Sequence, residues 1–155
     1  MVRFILAVIF GYLCMALLVM AGFAVGFLKP ELAFHAGTPS IRPGWLAYTL
    51  VLSLGAALAG GWVCRRLARA RGPVIALAGL ALAIGIGSAV HNAGRPAPTV
   101  SAEELAAMAP AEQLQHARQP DWYAFTLPAL AASGILLGAR SAGSPRASHS
   151  FTPPA

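Results

Sequence analysis

Charge is what this chain has least of. Only 10% of its residues are Asp, Glu, Lys or Arg, against about 25% in an ordinary soluble domain. It therefore lacks the polar surface needed to face water on every side. Lysine is almost missing: of the eleven basic residues ten are arginine, and only Lys29 is lysine. Together with abundant Ala, Gly and Pro, that usage is what a GC-rich bacterial genome encodes. The two cysteines, Cys14 and Cys64, form no CxxC and no metal-type spacing, and read as small apolar residues. No Ser-nucleophile motif, Walker motif or dinucleotide turn is present. The net charge of +6 raises the question of nucleic acid. However, the basic residues fall between apolar runs and no groove-reading motif accompanies them, so nucleic acid is not an expected partner.

The second absence is sharper. Four stretches, 4–28, 45–64, 73–90 and 122–139, contain no Asp, Glu, Lys, Arg or His. Ionisable groups at mid-membrane mark proton relays, ion paths and counter-ions. Their lack argues against a proton-coupled transporter or pump. It argues equally against haem or metal ligated within a bilayer, which needs inward-facing His or carboxylates. No cofactor and no enzymatic activity are expected.

What the chain has is apolar length. It is 57% hydrophobic with a mean hydropathy of +0.67. Each of the four stretches is near or above the roughly 20 residues that cross a hydrocarbon core. A secretory signal peptide competes for the first, since Arg3 precedes it. Its apolar run is too long for that reading, and Ala33-Phe34-His35-Ala36 makes a poor cleavage site. The fourth stretch is close to the lower limit for spanning and contains Pro128, which removes one backbone donor. The predicted fold is all-α: a four-transmembrane-helix bundle over residues 1–140, with a short helical outer loop. Residues 141–155 are rich in Ser, Gly and Pro and are expected to form a disordered cytoplasmic tail.

Loop charge orients the bundle. With the N-terminus inside, the cytoplasmic segments carry Arg3, Arg65, Arg66, Arg69, Arg71, Arg140 and Arg146 and no acid. The other side carries Lys29, Arg42, Arg95 and Arg118 with every acid: Glu31, Glu103, Glu104, Glu112 and Asp121. Short arginine-rich loops stay inside, and the cluster Arg65, Arg66, Arg69 and Arg71 decides the topology. Both termini are then cytoplasmic, in a multi-pass protein of the bacterial inner membrane. Trp45, Trp122 and Tyr123 fall at the outer interface and Trp62 at the inner one.

The outer loop from 92 to 121 opens with Ser101-Ala-Glu-Glu104, a capping-box pattern, and Pro110 permits a second helix start. His35, His91 and His116 should lie on this side with Glu103, Glu104 and Glu112. They show no HxxxH or HxxE ligand spacing, so no metal site is expected.

Small residues recur at helical spacing in all four stretches. Gly22 and Gly26 form GxxxG; Gly55, Gly60 and Gly61 crowd the second stretch beside Ala57. Gly79, Ala83 and Gly87 make one stripe of the third, and Gly134 and Gly138 lie in the fourth. Lipid supplies no hydrophobic drive between helices, so close backbone approach must hold a bundle together. These ten positions are the predicted helix-packing residues. The same motifs serve association with a second copy or a larger membrane partner, besides contact with membrane lipid.

The span layout, the Gly60-Gly61-Trp62 end of the second stretch and the Trp122-Tyr123 start of the fourth resemble uncharacterised small four-span bacterial membrane proteins. That resemblance covers most of residues 1–140 and implies no activity. The chain differs from the small multidrug exporters, which depend on an acidic residue in the first span. The resulting expectation is a non-enzymatic structural or accessory component acting through helix packing. The alternative is a passive channel or small-solute transporter formed as a homo-oligomer.

Overall fold

The computed structural model describes residues 1–28, 42–93, 101–108 and 121–142. The expected second helix after Pro110, residues 29–41 and residues 143–155 of the tail lie outside the described residues, while residues 141 and 142, expected in the tail, are helical. All regular structure among the described residues is helical: α1 (Val2–Leu28), α2 (Pro43–Ala68), α3 (Gly72–Ala93), the short α4 (Ala102–Ala107) and α5 (Asp121–Ala142). The four long helices are each long and apolar enough to cross a membrane. The chain is an all-α four-helix bundle.

Helix ends follow local chemistry and reach beyond the apolar stretches. Pro43 stands at the start of α2, where its missing N–H costs nothing. The carbonyl of Arg42 accepts from the N–H groups of Trp45 and Leu46. At the other end α2 continues past Arg65-Arg66, which occupy its last turn and complement the helix dipole. The helix closes at Arg69 in a left-handed conformation, φ 53°, with its N–H donated to the Arg65 carbonyl. α5 runs unbroken through Pro128 for 22 residues, about 33 Å at the usual helical rise. That exceeds the ~30 Å hydrocarbon thickness, so the fourth segment is long enough to span.

The helices run up, down, up, down. Gly11 meets Gly60 and Gly22 meets Leu52, so α1 and α2 are antiparallel. Thr49 meets Tyr123 and Leu58 meets Gly138, so α2 and α5 run parallel. Gly85 against Pro128 makes α3 antiparallel to α5, and Phe4 against Gly72 puts the starts of α1 and α3 together. The arginines of residues 3, 65–71 and 140 therefore share one end of the bundle. α2 packs extensively on α1 and α5; α3 packs on α5 and only lightly on α1 and α2.

The core is built from small side chains: Ala7, Ala56, Ala57, Cys64, Ala78 and Ala139 are buried, and Leu77 and Ile135 are its largest fully buried members. Large apolar residues such as Phe10, Leu17, Val51, Ile75, Ile86 and Leu137 face outward. In water such a surface would drive aggregation. In lipid it is the solvated surface, and dispersion between closely approaching backbones replaces hydrophobic burial. This distribution makes the chain a multi-pass membrane protein.

Candidate functional site

Three features of the bundle could carry function: the small-residue seams, a polar cluster at the end opposite the arginines, and the arginine end itself.

The seam between α2 and α5 is the tightest. A Cβ added to Gly61 would fall on the carbonyl of Ile135, and one added to Gly138 on the carbonyl of Leu58. The two helices thus touch backbone to backbone at both glycines. One turn on, a Cβ at Gly134 would come within 2.7 Å of Ala57 Cβ. Between α1 and α2 the pair Gly11 and Gly60 plays the same part: a Cβ at Gly60 would lie 2.8 Å from the Gly11 carbonyl and against Met15. Gly22 admits the Leu52 side chain. Gly22, Gly60, Gly61, Gly134 and Gly138 are therefore at helix interfaces. The surroundings of the Gly26 α-carbon lie outside the described residues.

Gly55, Gly79 and Gly87 are different, since a Cβ on any of them would meet nothing within 4 Å. Ala83 is exposed as well. Among the described residues, these four candidate packing positions face away from the other helices. The inward face of α3 is instead Val74, Leu77, Ala78 and Ala89, together with Gly85, where a Cβ would approach Pro128 Cγ to 2.5 Å. Gly85 and Gly11 are packing positions that spacing alone did not single out. For Gly11 a signal existed in Ala7-xxx-Gly11, and Ala7 is fully buried. For Gly85 the partner is a proline 43 residues away in sequence, and no local pattern announces it.

At the other end, Trp45 and Tyr123 are only 6% and 3% exposed. They are part of the bundle interior, and of the expected outer aromatics only Trp122 faces outward, at 57%. Trp45 packs edge-on to Phe23 and tilted against Tyr48, and the Tyr48 hydroxyl donates to the Gly22 carbonyl at 3.2 Å. Thr49 Oγ1 lies 3.0 Å from the Trp45 carbonyl and 2.9 Å from that of Leu46. It is also hydrogen-bonded to the Tyr123 hydroxyl. A threonine hydroxyl carries one proton. With that proton on its own helix, Tyr123 is the donor, and α5 is tied to α2 through a polar contact in an apolar setting. Three further hydroxyls return to their own helix: Thr126 to Trp122, Ser133 to Ala129 and Ser141 to Gly138.

The capping box forms as its sequence predicts. Ser101 N–H and Oγ donate to Glu104 Oε2, each at 3.0 Å, and Glu104 N–H donates to Ser101 Oγ at 3.2 Å. Ser101 backbone and then hydroxyl hydrogen bonds hold the Glu104 carboxyl below its ordinary value. His35, His116 and Glu112 lie outside the described residues; among the described residues no group of three His, Cys, Asp or Glu side chains could hold a metal.

At the arginine end, the Arg66 guanidinium carbon lies 5.0 Å from the Trp62 ring centroid, within cation–π range. Arg66, Arg69 and Arg71 are exposed and Arg65 partly so. Comparison with protein-family models, curated proteins and solved structures finds no match.

Proposed function

We propose that the protein is a non-enzymatic component of a bacterial inner membrane, structural or accessory in role, with both termini cytoplasmic, and that it acts through helix packing. The observation that carries this reading is how the polar groups of the spans are used. The spanning helices contain no Asp, Glu, Lys, Arg or His apart from arginines, His91 and Asp121 at their ends. The buried hydroxyl of Thr49 is committed to its own backbone and to Tyr123. Among the described residues no buried side-chain polar atom lacks a partner. Little is left to grip a polar substrate or move a proton, while the seams are built for close contact. The layout resemblance to small four-span bacterial membrane proteins fits the same reading.

A passive path for a small solute, formed by several copies, is the second reading. What favours it is the outward position of Gly79, Ala83 and Gly87, small residues along one side of α3 that no described residue covers. Mass determination after purification in mild detergent separates the two. A ring of defined stoichiometry supports the passive path, and a stable complex with another membrane protein supports the accessory role. A strict monomer without any partner counts against both.

A further inference from the structure

The strongest charge feature of the molecule is its arginine end. Four arginines fall within the seven residues 65–71, and Arg3 and Arg140 share that end. The sequence holds no Asp or Glu before Glu31, between Glu31 and Glu103, or after Asp121, so no acid stands beside these arginines in the chain. Two details go beyond crude charge. The Arg66 guanidinium lies over the ring of Trp62, itself 44% exposed. A cation–π contact uses no N–H donor in a hydrogen bond, and the guanidinium fork matches phosphate oxygens. Second, among the described residues Arg69 is the one non-glycine residue with positive φ. Glycine is the usual residue where a helix ends left-handed, because it carries no steric cost there. An arginine at such a position goes against the backbone's preference, and strain of that kind points to a used side chain.

We propose that this end binds the headgroup of an anionic phospholipid, with Arg66, Arg69 and Arg71 as phosphate donors. Exposed Trp62 and Leu67 supply apolar surface beside them for the upper acyl chain. That apolar flank is why a lipid, rather than a free phosphate, is the ligand. The inference rests on the membrane-spanning reading above.

The test uses the full chain in a neutral detergent, with dioleoylphosphatidylglycerol and dioleoylphosphatidylcholine as probes and native mass spectrometry to count retained lipid. The wild type should retain the anionic lipid at least about tenfold better, given roughly 1 kcal/mol per basic residue near an anionic surface. Arg69→Gly should lower that ratio at least about threefold by the same rule without lowering the melting temperature, since the turn is relieved. Arg66→Gln, Arg69→Gly and Arg71→Gln together should bring it near unity. A wild-type ratio near unity, or one the triple variant leaves unchanged, overturns the proposal. So does soluble glycerophosphoglycerol that stabilises the protein as well as the lipid does. A folded bundle in detergent that ignores lipid charge defeats this inference alone, whereas a chain that stays soluble without detergent defeats the membrane reading.

Discussion

A side chain on Gly61 would have to stand where the carbonyl of Ile135 is. Because the obstacle is backbone, no rotamer change can clear it, and the helices would have to separate. Gly138 stands in the same relation to Leu58. Overpacking of this kind costs typically about 1–3 kcal/mol. Gly61→Ala and Gly138→Ala should each lower the thermal stability of the purified protein, and the pair should lose the folded species. Gly79→Ala and Gly87→Ala meet only open space. They should leave stability unchanged or raise it by up to about 1 kcal/mol through helix propensity. Thermal unfolding in one detergent orders the four variants, and a destabilising Gly79→Ala would mean that α3 is turned otherwise.

Gly85→Ala puts a methyl group against the ring of Pro128. A proline ring cannot swing aside as a leucine can, so the α3–α5 seam must open by a few tenths of an ångström or more. We expect a loss of about 1–3 kcal/mol, read as a lowered unfolding midpoint. Pro128→Ala should restore much of it in the double variant, and additive losses would show that the two residues are not coupled.

The Thr49–Tyr123 pair predicts an asymmetry. Tyr123→Phe removes a donor, but Thr49 keeps its bond to the Trp45 or Leu46 carbonyl. Thr49→Val leaves a buried phenol hydroxyl with its partner gone, and an unsatisfied buried group costs about 1–3 kcal/mol. Thr49→Val should therefore be the more destabilising of the two. Equal losses would mean that Tyr123 finds another acceptor.

α4 should respond to acid. Its capping carboxylate, Glu104, is held below its ordinary value by Ser101, so the folded turn prefers the ionised form. A depressed folded value means stabilisation that is complete above the unfolded value, about 4.3 for glutamate, and lost as pH falls through the folded one. The Ser101 and Glu104 amide resonances should hold steady from neutral pH to about pH 5 and shift below about 4.3. Glu104→Gln should flatten that response, because an amide can still cap but does not ionise in this range. A response that survives in Glu104→Gln would assign it elsewhere.

Much of this architecture was legible in the residues. Uninterrupted apolar length gives the spans, because a bilayer admits little else, and Ser101 with Glu104 specifies a helix start from local chemistry alone. The faces were less legible. α3 carries Ala or Gly at positions 76, 78, 79, 81, 83, 85, 87 and 89, so small residues surround it almost completely. Spacing offers several equivalent stripes, and the choice falls to Pro128 on a helix distant in sequence. Trp45 shows the same limit. A tryptophan at a span end reads as an interfacial anchor, yet here Phe23 and Tyr48 enclose it, and nothing local to Trp45 reports that Phe23 will be its neighbour.

The central claim is an up-down-up-down bundle whose arginine end is cytoplasmic, and reporter fusions test it most directly. A reporter fluorescent only in the cytoplasm, fused after Arg140, should be bright, and one active only after export should work when inserted at Ala97. A dark fusion after Arg140 would mean that α5 does not cross, and the four-span account would be wrong.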